Sequence, residues 1–445
     1  MLIKGLLAIS LSLMFTTKSF SSNQSNSTTP KVYQTSPAQD RLVLPPDDEL
    51  RIYKEKLDKF KTIKHNDRKK MAWQQGPIML GINVAYRVTG DITFLNQSLK
   101  MSDEILAVRN HPEEGKTLYV SNKKLPVWPT LHDDFKVNGE KKPFANIIMT
   151  AMILQPIAEN FRLIMESPGL WNEAVPFGEE YLKGSGTTYR EKALFYFEKI
   201  EETIDQFVLA FWYDPLNNLL RIPDNSRMED IQPELAGLYP AYNRSLAMMQ
   251  VLDDLARGME LAKKKPHKAS VLRSMVKKQL DTFFDDIKTY KHNGKKYIYW
   301  FYAPADRESG QEDSKHGRLV MQAITKLYND GNNPYGLTKE KLQPFIDLFL
   351  DRLLTSNGSK VHYFIHRKNM VYRNIHIEPH RRINRAGAMT GDLKDDISYV
   401  TPYVILGWAG DRVMKVIEEN MAKKVSLKWT PWLWYYRNFN KINSQ

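Results

Sequence analysis

Long runs in which apolar residues return every three or four positions, broken by short turns, commit this chain to a helical fold. Leu50, Tyr53, Leu57 and Phe60 follow one such run behind Pro45-Pro46-Asp47-Asp48, a combination that starts helices. Ile78, Ile82, Ala85 and Tyr86 mark a second, over 71–88, and a third follows at 94–108. Ile147, Ala151, Leu154, Ala158 and Phe161 share one face of the next. Phe197, Ile200, Ile204, Phe207 and Phe211 share another. The same spacing predicts helices over 242–262, 267–290, 314–329, 339–354 and 399–422. That makes about ten helices in all.

Thr89-Gly90-Asp91 recurs in form as Ala409-Gly410-Asp411. In each, glycine ends one helix and aspartate caps the next, the turn chemistry of an antiparallel helix pair. Strand signals are local. Residues 289–302 hold His292-Asn293-Gly294-Lys295 between aromatic runs, and 360–377 alternate around Arg367-Lys368-Asn369, so both predict β-hairpins. The βαβ order of a parallel sheet is missing. These signs predict an all-α fold: an (α/α) toroid of six or seven helical hairpins with small β-hairpin insertions.

The N-terminus carries Lys4, an apolar stretch over 5–15 and the small-x-small sequence Ser19-Phe20-Ser21. This is the pattern of a secretory signal peptide over 1–21, too short for a membrane span. Residues 22–46, rich in Ser, Asn, Thr and Pro, read as a flexible leader, and 47–445 as one catalytic domain. Cysteine is absent, which excludes disulfides, thiolate metal sites and cysteine nucleophiles. The net charge of +13 calls for an anionic partner. For an exported protein that partner is an acidic polysaccharide rather than nucleic acid, and no membrane-integral segment follows the signal. The expected location is a bacterial periplasm or the exterior. The sequence leaves the oligomeric state open.

Four stretches carry candidate chemistry. Tyr239-Pro240-Ala241-Tyr242-Asn243-Arg244 leads into a helix, so Asn243 and Arg244 stand at its mouth, where backbone N–H groups and the dipole attract carboxylates. Plain capping by Asn243, with Tyr242 in the core, explains the same pattern. Residues 297–317 combine Tyr297, Tyr299, Trp300, Phe301 and Tyr302 with Arg307, Glu312, Asp313 and His316. Rings beside ionisable groups suit a sugar cleft, with Tyr299 and Trp300 as stacking surfaces. Here too a simpler reading exists: Asp313 or Ser314 caps a helix and His316 lies in its first turn.

Trp128 and His132, next to Asp133 and Asp134, are further substrate-binding candidates, and a solvated loop is the competing reading. His362, His366, His376 and His380 invite a metal reading, but they lack helical i, i+4 spacing and a carboxylate at fixed distance. No metal or organic cofactor is expected. Nearby Arg373, Arg381, Arg382 and Arg385 suit an anion-binding wall. Walker, GxGxxG and GxSxG signatures are missing. Trp429, Trp432, Trp434, Tyr435 and Tyr436 read as an aromatic seal of the chain end.

The order "PFANIIMTAMILQPIAENF", "WYDPLNN", "YPAYNRSLAMMQVL", "YWFYAP" and "EDSKHG" resembles the toroidal uronate-polysaccharide lyases, and among them polysaccharide lyase family 38, which cleaves alginate or glucuronan. The likeness runs over residues 70–420. It implies β-elimination: an Asn, with Arg or His, neutralises the uronate carboxylate, a Tyr or His removes the C5 proton, and a Tyr protonates the leaving oxygen. Carried over, Asn243 is the neutralising residue, His316 the His after the Glu-Asp pair, and Tyr302 the catalytic Tyr with Arg307 beside it. Tyr242 and Tyr299 are the other candidates for that Tyr. Arg244, Tyr299, Trp300, Glu312, Asp313, His132 and Trp128 are the substrate-binding set. Arg244 and Lys315 depart from the family pattern, which has Gln and Gly there. A glycoside hydrolase using Glu234 or Glu312 with Asp313 or Asp133, a uronate C5-epimerase and a non-catalytic polysaccharide binder are the alternatives.

Overall fold

The first helix, α1 (Asp47–Asp58), begins after Pro46 and places Asp47, Asp48 and Glu49 in its first turn and Lys56 in its last, matching the helix dipole at both ends. It is the first element of a computed structural model that describes residues 44–63, 68–131, 135–304, 312–329, 334–354, 358, 361, 400–421 and 425–443. The signal peptide, nearly all of the leader, His132, Arg307, the second hairpin and the histidine cluster with its arginines lie outside the described residues.

Among the described residues the chain is mostly helical with three small hairpins, in agreement with an all-α fold. A short turn α2 (Arg68–Lys70) passes through a π-helical stretch, Met71–Gln75, into α3 (Gly76–Thr89). Gly90 ends α3 at φ 67°, and Asp91 caps α4 (Ile92–Ala107) by accepting the Thr93 N–H at 3.0 Å. The glycine–aspartate turn thus acts as its sequence predicts. In α5 (Ile147–Met165) nearly every side chain is buried, the signature of a helix enclosed on all sides. It is the one described helix long and apolar enough to cross a membrane, and here it is enclosed by other helices. A capping box of Thr188 and Glu191 opens α6 (Tyr189–Thr203), which continues as a π-helix over Ile204–Leu209.

After the short α7 (Ser226–Ile231) come the enclosed α8 (Tyr242–Leu261) and α9 (Pro266–Asp286). The periodicity carries a helix on to residue 290, but α9 stops at Asp286 and strand β5 (Lys288–His292) takes over. It pairs with β6 (Lys295–Tyr299) across Asn293 (φ 50°) and Gly294 (φ 79°), the left-handed pair a type I′ turn demands. Two shorter hairpins, β1 (Lys136–Val137) with β2 (Glu140–Lys141) and β3 (Tyr213–Asp214) with β4 (Leu219–Leu220), precede it. Then follow α10 (Ser314–Asn329), α11 (Lys339–Leu348), a 3₁₀ helix Thr401–Ala409, α12 (Asp411–Met421) and α13 (Thr430–Asn443). The single helix expected over 399–422 is therefore two elements, divided at Gly410, whose φ of 102° no continuing helix accommodates.

Parallel helices pack side by side. α5 lies against α3 and α8, α8 against α10, α10 against the 3₁₀ helix, and α13 against both the 3₁₀ helix and α3. Contacts at matched heights give their direction. Gln155 of α5 donates to Gln250 of α8 at 2.7 Å, and Lys326 of α10 meets Asp254 of α8 at 2.6 Å. Tyr403 reaches the start of α10 at Ser314, while Trp408 stacks near its end on Tyr328. Close approach needs glycine. A Cβ on Gly76 would stand 2.3 Å from the Met152 carbonyl oxygen of α5, and one on Gly81 would stand 2.4 Å from the Leu427 oxygen. Pro156 lacks the N–H that would bind the Met152 carbonyl inside α5, so α5 turns a freed carbonyl toward Gly76.

The C-terminal halves of α5, α8 and α10 share a buried charge cluster. Arg162 Nε lies 2.8 Å from Asp254 Oδ1, Arg162 pairs with Glu159 at 3.2 Å, and Lys326 holds the other Asp254 oxygen. The aromatic chain end seals the other flank: Trp434 donates to Glu49 at 2.7 Å and meets Tyr53 edge-on at 5.2 Å.

Candidate active site

The N-terminal ends of α8 and α10 meet the chain leaving β6. The Tyr242 N–H donates to the Tyr302 carbonyl at 3.1 Å, and the Glu312 N–H to the Trp300 carbonyl at 3.0 Å. These two bonds bring Asn243, Tyr302 and the 312–316 turn together, although they come from separate stretches of sequence.

Asp313 organises the turn. Its Oδ1 accepts the His316 N–H at 2.8 Å, which caps α10, and its Oδ2 lies 2.6 Å from His316 Nδ1. With the carboxylate ionised, Nδ1 carries the ring proton and Nε2 is left as the basic nitrogen. The His316 side chain is 40 % exposed, and its ring meets Tyr302 edge to face at 5.3 Å. A 2.8 Å bond from the Tyr403 hydroxyl to the Ser314 carbonyl pins the turn from below. Tyr403 stands 89 residues downstream, beyond any local signal in the sequence.

Asn243 is 2 % exposed, and its Oδ1 has no hydrogen-bond donor. A buried amide oxygen normally has a donor, and this one lacks it; what an anion at the helix mouth would meet is the NH2 of the same amide, since the oxygen only accepts. Arg244, partly exposed in the first turn of α8, makes no ion pair among the described residues. A cation at a helix N-terminus works against the dipole, and an anion placed there would be attracted by both.

Glu312 is fully buried. Burial first, and the Asp313 charge second, push its carboxyl well above the usual carboxylate range, against the Asp313 N–H and the Trp300 indole. The indole lies near enough to favour the anion, yet neither Trp300 Nε1 nor Glu312 Oε2 completes a hydrogen bond.

Several candidates belong to the core instead. Tyr242 has no exposed surface; its hydroxyl donates to Asp286 at 2.8 Å and its ring packs on Phe283, so it supports the α8 mouth from behind. Trp300 is enclosed by Phe283 and Phe345 and offers no face to a sugar. Trp128 is likewise sealed, with its indole bonded to the Ile105 carbonyl at 2.9 Å. β6 ends at Tyr299, and Tyr297, Ile298 and Phe301 are all buried, so no exposed aromatic ladder forms. Tyr299 and Tyr302 alone of the five rings keep partial exposure. Glu234 is exposed on a separate loop.

Asn243, Arg244, Tyr302, Asp313 and His316 are thus the sequence candidates that the fold assembles, with Glu312 beneath them. No family model matches the chain, and no curated protein or solved structure matches it either.

Proposed function

We propose that this protein is an exported lyase that cleaves a uronate-containing polysaccharide such as alginate or glucuronan by β-elimination. The observation that carries this reading is the meeting at the α8 mouth of Asn243 and Arg244, which makes no ion pair among the described residues, with Tyr302, whose carbonyl accepts the Tyr242 N–H, and with the Asp313-held His316 that packs on the Tyr302 ring. The proton on C5 of a uronate is weakly acidic, because its removal drives charge onto the carboxylate. Asn243, Arg244 and the α8 N-terminus would take up that charge where it develops. Nε2 of His316 or the Tyr302 oxygen accepts the C5 proton. The electron pair forms the C4–C5 double bond, the C4–O bond breaks, and a protonated Tyr302 or His316 returns a proton to the leaving oxygen.

The order of helix neighbours supports the toroid that goes with this reading. From α3 it runs through α5, α8, α10 and the 3₁₀ helix to α13, which packs again on α3. The +13 charge favours a polyanion, and the N-terminal signal pattern favours a periplasmic or secreted enzyme. A hydrolase gains less support, because Glu312 is sealed from solvent and both Asp313 oxygens are engaged by His316. Incubation with alginate, glucuronan, heparin-type glycans and hyaluronan tests the proposal. A rise in ultraviolet absorbance from unsaturated ends is expected on one of them, and new reducing ends without that absorbance would refute it.

A further inference from the structure

We infer that Glu312, Asp313 and His316 form a binding site for a divalent first-row transition cation. One donor atom from each lies within 4.8 Å of the other two. Donors about 2.1 Å from a shared metal stand about 3 Å apart when adjacent and about 4.2 Å when opposite. The three side chains therefore need to shift by only a few tenths of an ångström, mainly by opening the 2.6 Å contact between Asp313 Oδ2 and His316 Nδ1.

A second observation points to a ligand rather than to a mere acidic turn. Glu312 has no solvent exposure, and its Oε2 has no hydrogen-bond partner. Among the described residues no Lys or Arg pairs with Glu312 or Asp313; the one ion-pair contact here is His316 with Asp313. A buried carboxylate oxygen left without a donor is costly until something binds it. A cation resolves it directly. Ser314 Oγ, the next side chain in the turn, is also buried without a partner. Two carboxylates and an imidazole suit Mn2+ or Zn2+ better than Ca2+, which prefers oxygen alone.

The inference concerns binding and does not depend on the lyase reading. Metal-stripped full-length protein titrated with Mn2+ and followed by electron paramagnetic resonance tests it. One bound Mn2+ per chain is expected, with affinity reduced by at least about tenfold in Glu312→Gln and His316→Gln, since even changes to groups that only support a ligand cost that much. Asp48→Asn, on distant α1, should bind as the parent does. Should Glu312→Gln fail to fold by circular dichroism, the half-exposed His316→Gln decides. A parent protein that binds no Mn2+, or variants that bind it unchanged, would overturn the inference.

Discussion

Asp313 holds His316 twice, taking its backbone N–H on one oxygen and its ring Nδ1 on the other. The carboxylate that starts α10 also sets the tautomer and direction of the imidazole. Asp313→Asn keeps a capping oxygen but lets the amide present an N–H to the ring. Turnover should fall by about 10²-fold, the usual weight of one positioned acid–base group, with KM little changed. Steady-state kinetics on the responsive polysaccharide would show this, and an unchanged kcat would remove His316 from the chemistry.

Asn243→Ala separates activity from stability in the opposite sense to most core substitutions. It removes a buried acceptor that has no donor, a group whose desolvation costs about 1–3 kcal/mol. The melting temperature should therefore hold or rise while kcat drops by about 10²-fold, because the amide NH2, the part of Asn243 that can donate to developing charge, is lost as well. A clear fall in melting temperature would show that Asn243 is structural.

Gly76→Ala tests the close passage of α3 and α5. The added methyl would meet the Met152 carbonyl at 2.3 Å, and backbone cannot turn aside as a side chain does. Stability should drop by about 1–3 kcal/mol, read as a lower urea midpoint with unchanged slope.

The Thr188–Glu191 capping box gives a pH signature. The backbone N–H of Thr188, then that of Thr187, hold the Glu191 carboxyl down to about 2. A carboxyl lowered in the folded state contributes stability above its unfolded value, about 4.3, and loses it as the pH falls toward 2. Glu191→Gln should flatten the acid limb of the stability profile over that window, measured by thermal melts from pH 5 to 2, and leave the neutral limb parallel to the parent's.

Much of this architecture is written locally. Ser314 to Asn329 was readable as a helix because its cap and its apolar stripe are neighbours in sequence, and Asn293-Gly294 announced its hairpin because only left-handed residues close so tight a turn. What was not readable depends on distant partners. Alternation along 297–302 predicts that one set of rings faces out, but Phe283 and Phe345 arrive from α9 and α11 and enclose Trp300. The sequence offers Tyr242 both as a candidate catalytic Tyr and as a core residue, and only the positions of Phe283 and Asp286 decide for the core. The tie between Asp313 and His316 was implicit in their spacing, whereas the union of Asn243 with Tyr302 rests on a backbone bond across some 60 residues, a separation no pattern reveals.

The charge cluster of Glu159, Arg162, Asp254 and Lys326 lies about 16 Å along α8 from the Asn243 mouth. Losing one member strands its partner's charge in the interior, at a cost of about 3–5 kcal/mol. A genetic screen for heat-sensitive alleles should therefore collect changes at Arg162, Asp254 and Lys326. A screen for protein that is dead but heat-resistant should collect them at Asn243 and Arg244. The same parallel helices carry two separate mutational spectra, one at each end.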